Sequence, residues 1–272
     1  MSQPLSLSDV HVSTGTDVPI PRTPGHSLSL GLSWDFYEGQ PKVDLDCSAL
    51  MFDWGGVLVD ACYYNQLTCL SGAVRHSGDN KDGRKEGFDE TIQVNFDAMP
   101  PEVSFIALVV NAFKGGTFEA VESAYAVVSD VPPGGGKNRA LADCAVGCGQ
   151  SNTAVVMAVL YKVDPANPQS EWMFRNVGEM TSGVNFQESF PAVRRAIDAF
   201  VDPKLVKERT AGPGKSFEMR KGDSVEIPKN LFRGGDDLFI GLGWTAGTAD
   251  RNPGKKGKKK AKESVDPPKV FE

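Results

Sequence analysis

The most constraining feature of this chain is a series of short segments in which apolar and polar residues alternate. In residues 28–34, apolar side chains from Leu28 to Trp34 occupy every second position. Successive side chains of a β-strand point to opposite faces, so this segment is predicted to be a half-buried strand. Similar or wholly apolar segments, separated by turns rich in glycine and proline, recur at 43–52, 57–59, 72–76, 91–96, 104–112, 124–129, 153–163 and 171–177. Many short strands joined by such turns predict a mainly β protein, an antiparallel β-sandwich.

One segment follows the period of a helix instead. Between residues 185 and 201, apolar side chains recur at spacings of three and four, which predicts an amphipathic helix near the end of the main domain. The stripe facing the core consists of Phe186, Phe190, Val193, Ile197 and Phe200, with Arg194, Arg195 and Asp198 on the opposite side. Because proline suits the first turn of a helix, Pro191 predicts that the regular helix begins near Phe190.

A short segment rich in acids and glycines, residues 76–92, is a candidate site. Beside Asn80 it contains five carboxylates: Asp79, Asp82, Glu86, Asp89 and Glu90. Carboxylates crowded on one loop repel each other, so they either face open solvent, as most loops do, or share a cation. Ligands that are all oxygen favour calcium, which takes six to eight of them. An EF-hand is excluded, because Gly83 at its sixth position would put Gly78, which has no ligand side chain, at the first.

A second acidic feature lies on the predicted strand 43–52. Asp44 and Asp46 are two residues apart, so a strand places them on the same face, about 7 Å from each other. This pair also either points into open solvent or shares a cation.

The charge of the chain bears on its class of function. The net charge is −6, although residues 255–262 carry six lysines and no acid, so the remainder carries about −12. An acidic body disfavours nucleic-acid binding and is compatible with cation binding. The Lys-rich tail, residues 251–272, is expected to be disordered, with a nuclear signal or contact with a polyanion as the alternative.

The cysteines indicate a reducing compartment. There are five, at positions 47, 62, 69, 144 and 148, and this odd number fits free thiols better than a disulfide framework. The first residues lack the basic and apolar regions of a signal peptide, so a cytoplasmic protein is expected.

The chain contains a partial internal repeat. Residues 222–228 resemble 15–21, and residues 238–244 resemble 28–34, but no second acidic loop follows. Three parts are therefore predicted: a β-sandwich domain at 1–205, a partial repeat of its first two strands at 206–250, and the Lys-rich tail at 251–272. Because two strands alone are marginal in water, the segment 219–245 is expected to pack on the first unit or to form a dimer contact.

Four motifs taken together resemble the TerD family of tellurium-resistance and stress-response proteins. They are Leu-Gly-Leu-Ser-Trp-Asp at 30–35, Asp-Leu-Asp-Cys-Ser-Ala at 44–49, Tyr-Asn at 64–65, and the spaced Gly-Asp-Asn and Gly-x-Asp-Glu elements of 78–90. The resemblance implies a calcium-binding β-sandwich that acts as a binding or scaffold module in the stress response and is not an enzyme. Candidate partners are other proteins, among them further TerD-like domains.

The resemblance also implies a composite site for two Ca²⁺ ions between the Asp-x-Asp strand and the Gly-Asp-Asn loop. The implied ligands are Asp35, Asp44, Asp46, Asp79, Asn80, Gly83 through its carbonyl oxygen, Glu86, Asp89 and Glu90. One acid of the family pattern is replaced by Phe88, which is expected to remove a ligand or to weaken one site.

Two other functions are compatible with the acidic residues. Paired carboxylates suit a glycosidase or a metal-dependent hydrolase, but the sequence offers no nucleophile with a partner base and only three histidines. A sandwich that binds membranes through calcium needs apolar or basic residues beside the loop, and the chain has such residues in Lys81, Arg84, Lys85 and Phe88. The sequence favours a binding protein, with membrane contact as the first alternative and a hydrolase as the second.

Overall fold

Two antiparallel sheets of six strands form the body of the protein. The computed structural model describes residues 11–39, 43–80, 87–113, 116–165 and 167–210. The first sheet contains, in spatial order, β1 (Asp17–Ile20), β12 (Trp172–Thr181), β11 (Ala154–Lys162), β8 (Val103–Phe113), β3 (Asp44–Asp53) and β4 (Leu58–Cys62). The second contains β10 (Arg139–Ala145), β9 (Val121–Val131), β2 (Ser27–Phe36), β7 (Glu90–Val94), β6 (Val74–His76) and β5 (Thr68–Cys69). This arrangement confirms the predicted antiparallel β-sandwich.

The core between the sheets is built from alternating positions of the strands. The apolar side chains of β2 that were expected on one face, from Leu28 to Trp34, are all buried in it. From β3 the same core takes every second residue: Leu45, Cys47, Ala49 and Met51. The period of two predicted for both strands is therefore confirmed.

A helix forms a second apolar layer on the outer face of the first sheet. Helix α1 (Phe186–Asp198) contributes Val193 and Ile197 to a cluster that contains Leu50 and Phe52 of β3. Asp44 and Asp46 share the strand face of these two residues, because side chains two apart point the same way. Both aspartates therefore lie outside the core between the sheets.

The helix begins earlier than the sequence predicted. The expected start near Phe190 is wrong, because the side chain of Asn185 accepts the backbone N–H of Glu188 at 3.0 Å and caps a helix that starts at Phe186. Pro191 therefore lies in the second turn, where it has no N–H to donate to the carbonyl of Gln187. A second helix, α2 (Pro203–Thr210), has no counterpart in the sequence prediction.

Several predicted features lie outside the described residues. They are Gly83 and Glu86 of the acidic loop, the partial repeat beyond residue 210, and the Lys-rich tail at 251–272. The functions and boundaries expected for them stay predictions. No helix in the described ranges is long and apolar enough to cross a membrane.

An ion pair attaches the edge strand β1 to its neighbour β12. Arg175 donates to both carboxylate oxygens of Asp17, at 2.8 and 2.5 Å. Chiefly through these hydrogen bonds, Arg175 lowers the pKa of Asp17 below its ordinary value of 3.8. A pKa that is lower in the folded state stabilises the fold above the unfolded-state value, and this contribution is lost as the pH falls through the folded-state pKa.

Asp17→Asn is therefore expected to make the melting temperature less dependent on pH below about pH 4, because the variant has no carboxylate to protonate at this position. Thermal unfolding followed by circular dichroism over the acid range would measure this. Glu179→Gln, which removes the half-buried acid paired with Arg195, is the matched control. An acid dependence in Asp17→Asn equal to that of the unmodified protein would contradict the prediction.

Candidate metal centre

The acidic loop meets the first sheet at an edge of β3 that β4 does not cover. β4 pairs only with the second half of β3. In the first half, the backbone N–H of Cys47 donates to Oε2 of Glu90 at 2.8 Å. Oε1 of the same carboxylate accepts the backbone N–H of Asn80 at 3.2 Å. Glu90 therefore fastens the start of the acidic loop to the strand that carries the aspartate pair.

Three aspartates come together beside this edge. One carboxylate oxygen from each of Asp44, Asp46 and Asp79 lies within 4.8 Å of the other two. The first two share a strand face, as predicted, and the loop brings the third from more than thirty residues away in the chain. At this separation, two ionised carboxylates near a protein surface repel each other by roughly 3 kcal/mol. Oxygen atoms at such spacing suit a hard cation, whose charge would relieve the repulsion.

The negative charge of the three aspartates affects the pKa of Tyr64. Burial raises the pKa of its phenol, and the negative charges of Asp46, Asp79 and Asp44 raise it further. The ring of Tyr64 contacts Phe113 with 5.7 Å between ring centroids, and Phe113 is opposite Asp44 in the pairing of β3 with β8. Aromatic side chains therefore border the acidic cluster.

Two further candidate ligands contact each other near the end of β2. Nδ2 of Asn80 donates to Oδ1 of Asp89 at 3.1 Å, and Oδ2 of Asp89 accepts the backbone N–H of Trp34 at 3.1 Å. Because Asn80 donates with its amide nitrogen, a cation would be bound through its amide oxygen. Asp35, the residue after Trp34, is exposed and is not part of the close group of three aspartates.

On the inner side of β3, a buried cluster of Cys47, His76 and Glu90 joins the two sheets. Nε2 of His76 lies 3.3 Å from the sulfur of Cys47 and 3.4 Å from Oε2 of Glu90. Nδ1 of His76 accepts the backbone N–H of Gly78 at 3.0 Å, so the proton of the neutral ring is on Nε2. The ring therefore offers an N–H to the other two side chains.

The Cys47 thiol of this cluster lies in an environment that disfavours its ionised form. Burial, together with the charge of Glu90, raises the pKa of the Cys47 thiol well above its ordinary value. We interpret Cys47, His76 and Glu90 as a hydrogen-bonded support for the loop.

Phe88, at a position where the resemblance implied an acid, packs on β2. A Cβ atom added at Gly31 would lie 2.4 Å from the ring of Phe88, so the ring lies directly over the glycine backbone. The ring is only partly exposed. Gly31 is therefore required at this position, and Phe88 is engaged within the domain.

Comparisons with known proteins agree on one family. The family model described as the TerD domain matches residues 10–187. The tellurium resistance protein TerZ of Serratia marcescens is 35% identical over 125 residues, which cover 46% of this chain and 61% of TerZ. The general stress protein 16U of Bacillus subtilis is 38% identical over 108 residues, 37% of this chain and 56% of that protein. The tellurium resistance protein TerD of Serratia marcescens is 32% identical over 167 residues, 58% of this chain and 82% of TerD.

The matched part of the chain spans less than two thirds of the length of TerZ and of protein 16U. Among solved structures, the crystal structure of a homologue of telluride resistance protein (TerD) from Streptomyces coelicolor A3(2) aligns with a TM-score of 0.46 and 19% identity. That alignment covers 60% of this chain and 96% of the other.

Proposed function

The chain belongs to the TerD domain family, and from this premise we propose that it is a calcium-binding protein of the stress response. The observation that carries the proposal is the meeting of Asp44, Asp46 and Asp79 within 4.8 Å. These carboxylates come from two distant segments, and their oxygen atoms are the ligands that Ca²⁺ prefers. The ion would bridge the open edge of β3 and the acidic loop.

A second Ca²⁺ would be bound on the side of Asn80 and Asp89. Asn80 and Asp89 contact each other at 3.1 Å, so oxygen atoms of both would bind the same ion. The further ligands in this proposal are Asp35, Glu86 and the carbonyl oxygen of Gly83. Of these, the first is exposed at the end of β2, and the other two lie outside the described ranges.

The resemblance implied Glu90 as a ligand, and we propose instead that it positions the other ligands. Its side chain is fully buried, and both of its oxygens accept backbone N–H groups, from Cys47 and from Asn80. These two residues lie next to Asp46 and Asp79 respectively. Glu90 therefore holds the two ligand-bearing segments at a fixed distance.

The wider role that we propose is a binding or scaffold function in the cytoplasm without catalysis. It rests on family membership, since relatives are named as resistance and general stress proteins. Other proteins, including further TerD-like domains, are the candidate partners. Because Phe88 packs on Gly31, contact with membranes would depend on the basic residues of the loop, which lie outside the described ranges.

Calorimetric titration with Ca²⁺ tests the proposal. We expect a binding signal and a rise in melting temperature, because a ligand present at one hundred times its dissociation constant stabilises the folded state by about 2.7 kcal/mol. The double variant Asp46→Asn with Asp79→Asn is expected to lose both effects, since it removes charge from each of the two segments. Glu122→Gln, which removes an exposed acid from β9, is the matched control and should bind as the unmodified protein does. The absence of both heat and melting shift at millimolar Ca²⁺ would refute the proposal.

A further inference from the structure

A cleft lined by Lys162 and Arg22 lies at the end of the first sheet that is remote from the aspartates. Lys162 ends β11 next to Tyr161, which pairs with Phe105 of β8, and Phe105 in turn pairs with Phe52 of β3. Phe52 is six residues beyond Asp46, a distance of about 20 Å along a strand. The cleft is therefore separate from the candidate metal centre.

Two neighbouring cavities form this cleft. The smaller, of about 220 Å³, is lined by Arg22, Lys162, Trp172 and residues of the turn before β8. The larger, of about 530 Å³, reaches β10 and also has Arg22 and Trp172 in its wall. Pockets for small molecules commonly enclose about 300–1,000 Å³, so the larger cavity is of that size and the smaller one suits a compact group.

Lys162 is a buried cation that forms no ion pair with a carboxylate among the described residues. It is 3% exposed, and its Nζ donates to the carbonyl oxygen of Pro101 at 2.7 Å. Nζ also lies over the ring of Trp172, 5.7 Å from the centroid. An ammonium group has three N–H donors, and a buried charge is costly unless it is paired. The site therefore has a place for an anion.

Arg22 borders the same cavity from the turn after β1. Its Nη1 donates to the carbonyl oxygen of Pro168 at 3.3 Å, and within the described ranges no carboxylate forms an ion pair with it. Two acids line the cleft: Asp97 in the smaller cavity, whose Oδ2 accepts the backbone N–H of Gly25 at 2.8 Å, and Glu171 in the larger one. The larger cavity is also lined by Arg139, which pairs with Asp130. Burial, and then the positive charge of Arg22, lower the pKa of Lys162, while the negative charge of Glu102 raises it. Lys162 and Arg22 are therefore close enough to repel each other.

We propose that this cleft binds a small oxyanion of the phosphate or sulfate type, either free or as the head group of a small molecule. A guanidinium and an ammonium are the groups that proteins use to bind such anions, one as a planar fork of donors and the other as a point charge. The anion supplies the counter-charge for Lys162 and Arg22 and relieves their repulsion. If the ligand is a phosphate ester, its organic part occupies the larger cavity.

Thermal unfolding and calorimetric titration of the full chain, with inorganic phosphate, sulfate and glycerol phosphate as separate probes, test this assignment. The buffer contains a calcium chelator, because calcium phosphate precipitates. We expect at least one probe to bind and to raise the melting temperature. Arg22→Gln is expected to weaken that binding roughly tenfold, since it removes charge-assisted hydrogen bonds. Tighter binding of glycerol phosphate than of inorganic phosphate would assign the site to an esterified group, and the reverse order to the free anion.

Lys162→Met is a second variant, for which we expect different effects on the stability of the protein and on anion binding. Replacement of an unpaired buried charge by an apolar side chain of similar length is expected to leave the melting temperature without anion unchanged or higher, while the response to phosphate is lost. Arg195→Gln removes an exposed cation on α1 and should keep the full response. The double variant Asp46→Asn with Asp79→Asn should also keep it, which separates this site from the metal centre. No response to any probe at millimolar concentration, or an equal response in all variants, would overturn the assignment.

Discussion

Glu90→Gln is expected to lower the free energy of unfolding by about 2 kcal/mol and to weaken calcium binding at least tenfold. Glutamine has the shape of glutamate but only one acceptor oxygen. Its amide nitrogen must face the backbone N–H of either Cys47 or Asn80, which now donate to the two carboxylate oxygens at 2.8 and 3.2 Å. A buried N–H left without an acceptor costs about 1–3 kcal/mol.

The loss of calcium affinity would follow from position rather than from a missing ligand. In the variant, the segment with Asn80 is no longer hydrogen-bonded to the strand with Asp46. Part of the free energy of calcium binding is then used to order both segments, so the affinity falls. Urea denaturation with and without Ca²⁺ measures the two effects separately, with Glu122→Gln as the control for loss of one negative charge. If Glu90→Gln kept full stability without Ca²⁺ and lost only calcium binding, Glu90 would be a ligand and the positioning role would be wrong.

Gly31→Ala is expected to destabilise the protein by about 2 kcal/mol, which is typical of a side chain forced into a packed site. The new methyl group would lie 2.4 Å from Cγ of Phe88, so the ring has to leave its place over β2. Phe88 directly precedes Asp89, whose carboxylate accepts the backbone N–H of Trp34. Displacement of the ring is therefore expected to disturb this hydrogen bond and to weaken calcium binding as well.

A double-mutant cycle tests this explanation. Phe88→Ala removes the ring that the new methyl group would meet, so Gly31→Ala should cost less in its presence than in the unmodified protein. Urea denaturation of the four proteins gives the coupling energy between the two positions. Additive losses would show that Gly31 is required for a reason other than the ring of Phe88.

The parts of the fold that the sequence predicts well are those with a strong local period. β2 alternates apolar and polar residues over its whole length, and β3 does so over residues 44–49, and this pattern identifies the faces that lie between the sheets. β10 lacks such a signal, because its residues Arg-Ala-Leu-Ala-Asp-Cys-Ala include alanines that favour strands only weakly. It is a strand because its backbone pairs with β9, which is a tertiary interaction.

The candidate sites divide in the same way. The spacing of Asp44 and Asp46 is a local property, and the crowding of acids after Gly78 is visible in the sequence. The burial of Glu90 and its hydrogen bond to Cys47 depend on the packing of the two sheets against each other, so no local sequence pattern predicts them. The cation cleft gives no sequence signal either, since Arg22 and Lys162 are single basic residues on segments far apart in the chain.

The open first half of β3 has a consequence for how the chain is held together. An ion bound by Asp46 and Asp79 would join two segments more than thirty residues apart, and it would stabilise the fold because it binds the folded chain and not the unfolded one. The five cysteines of this protein are free thiols, so its folded form has no disulfide to serve that purpose. Calcium would then stabilise the fold reversibly. The stabilisation would increase with the concentration of the free ion, and a chelator would remove it without breaking a covalent bond.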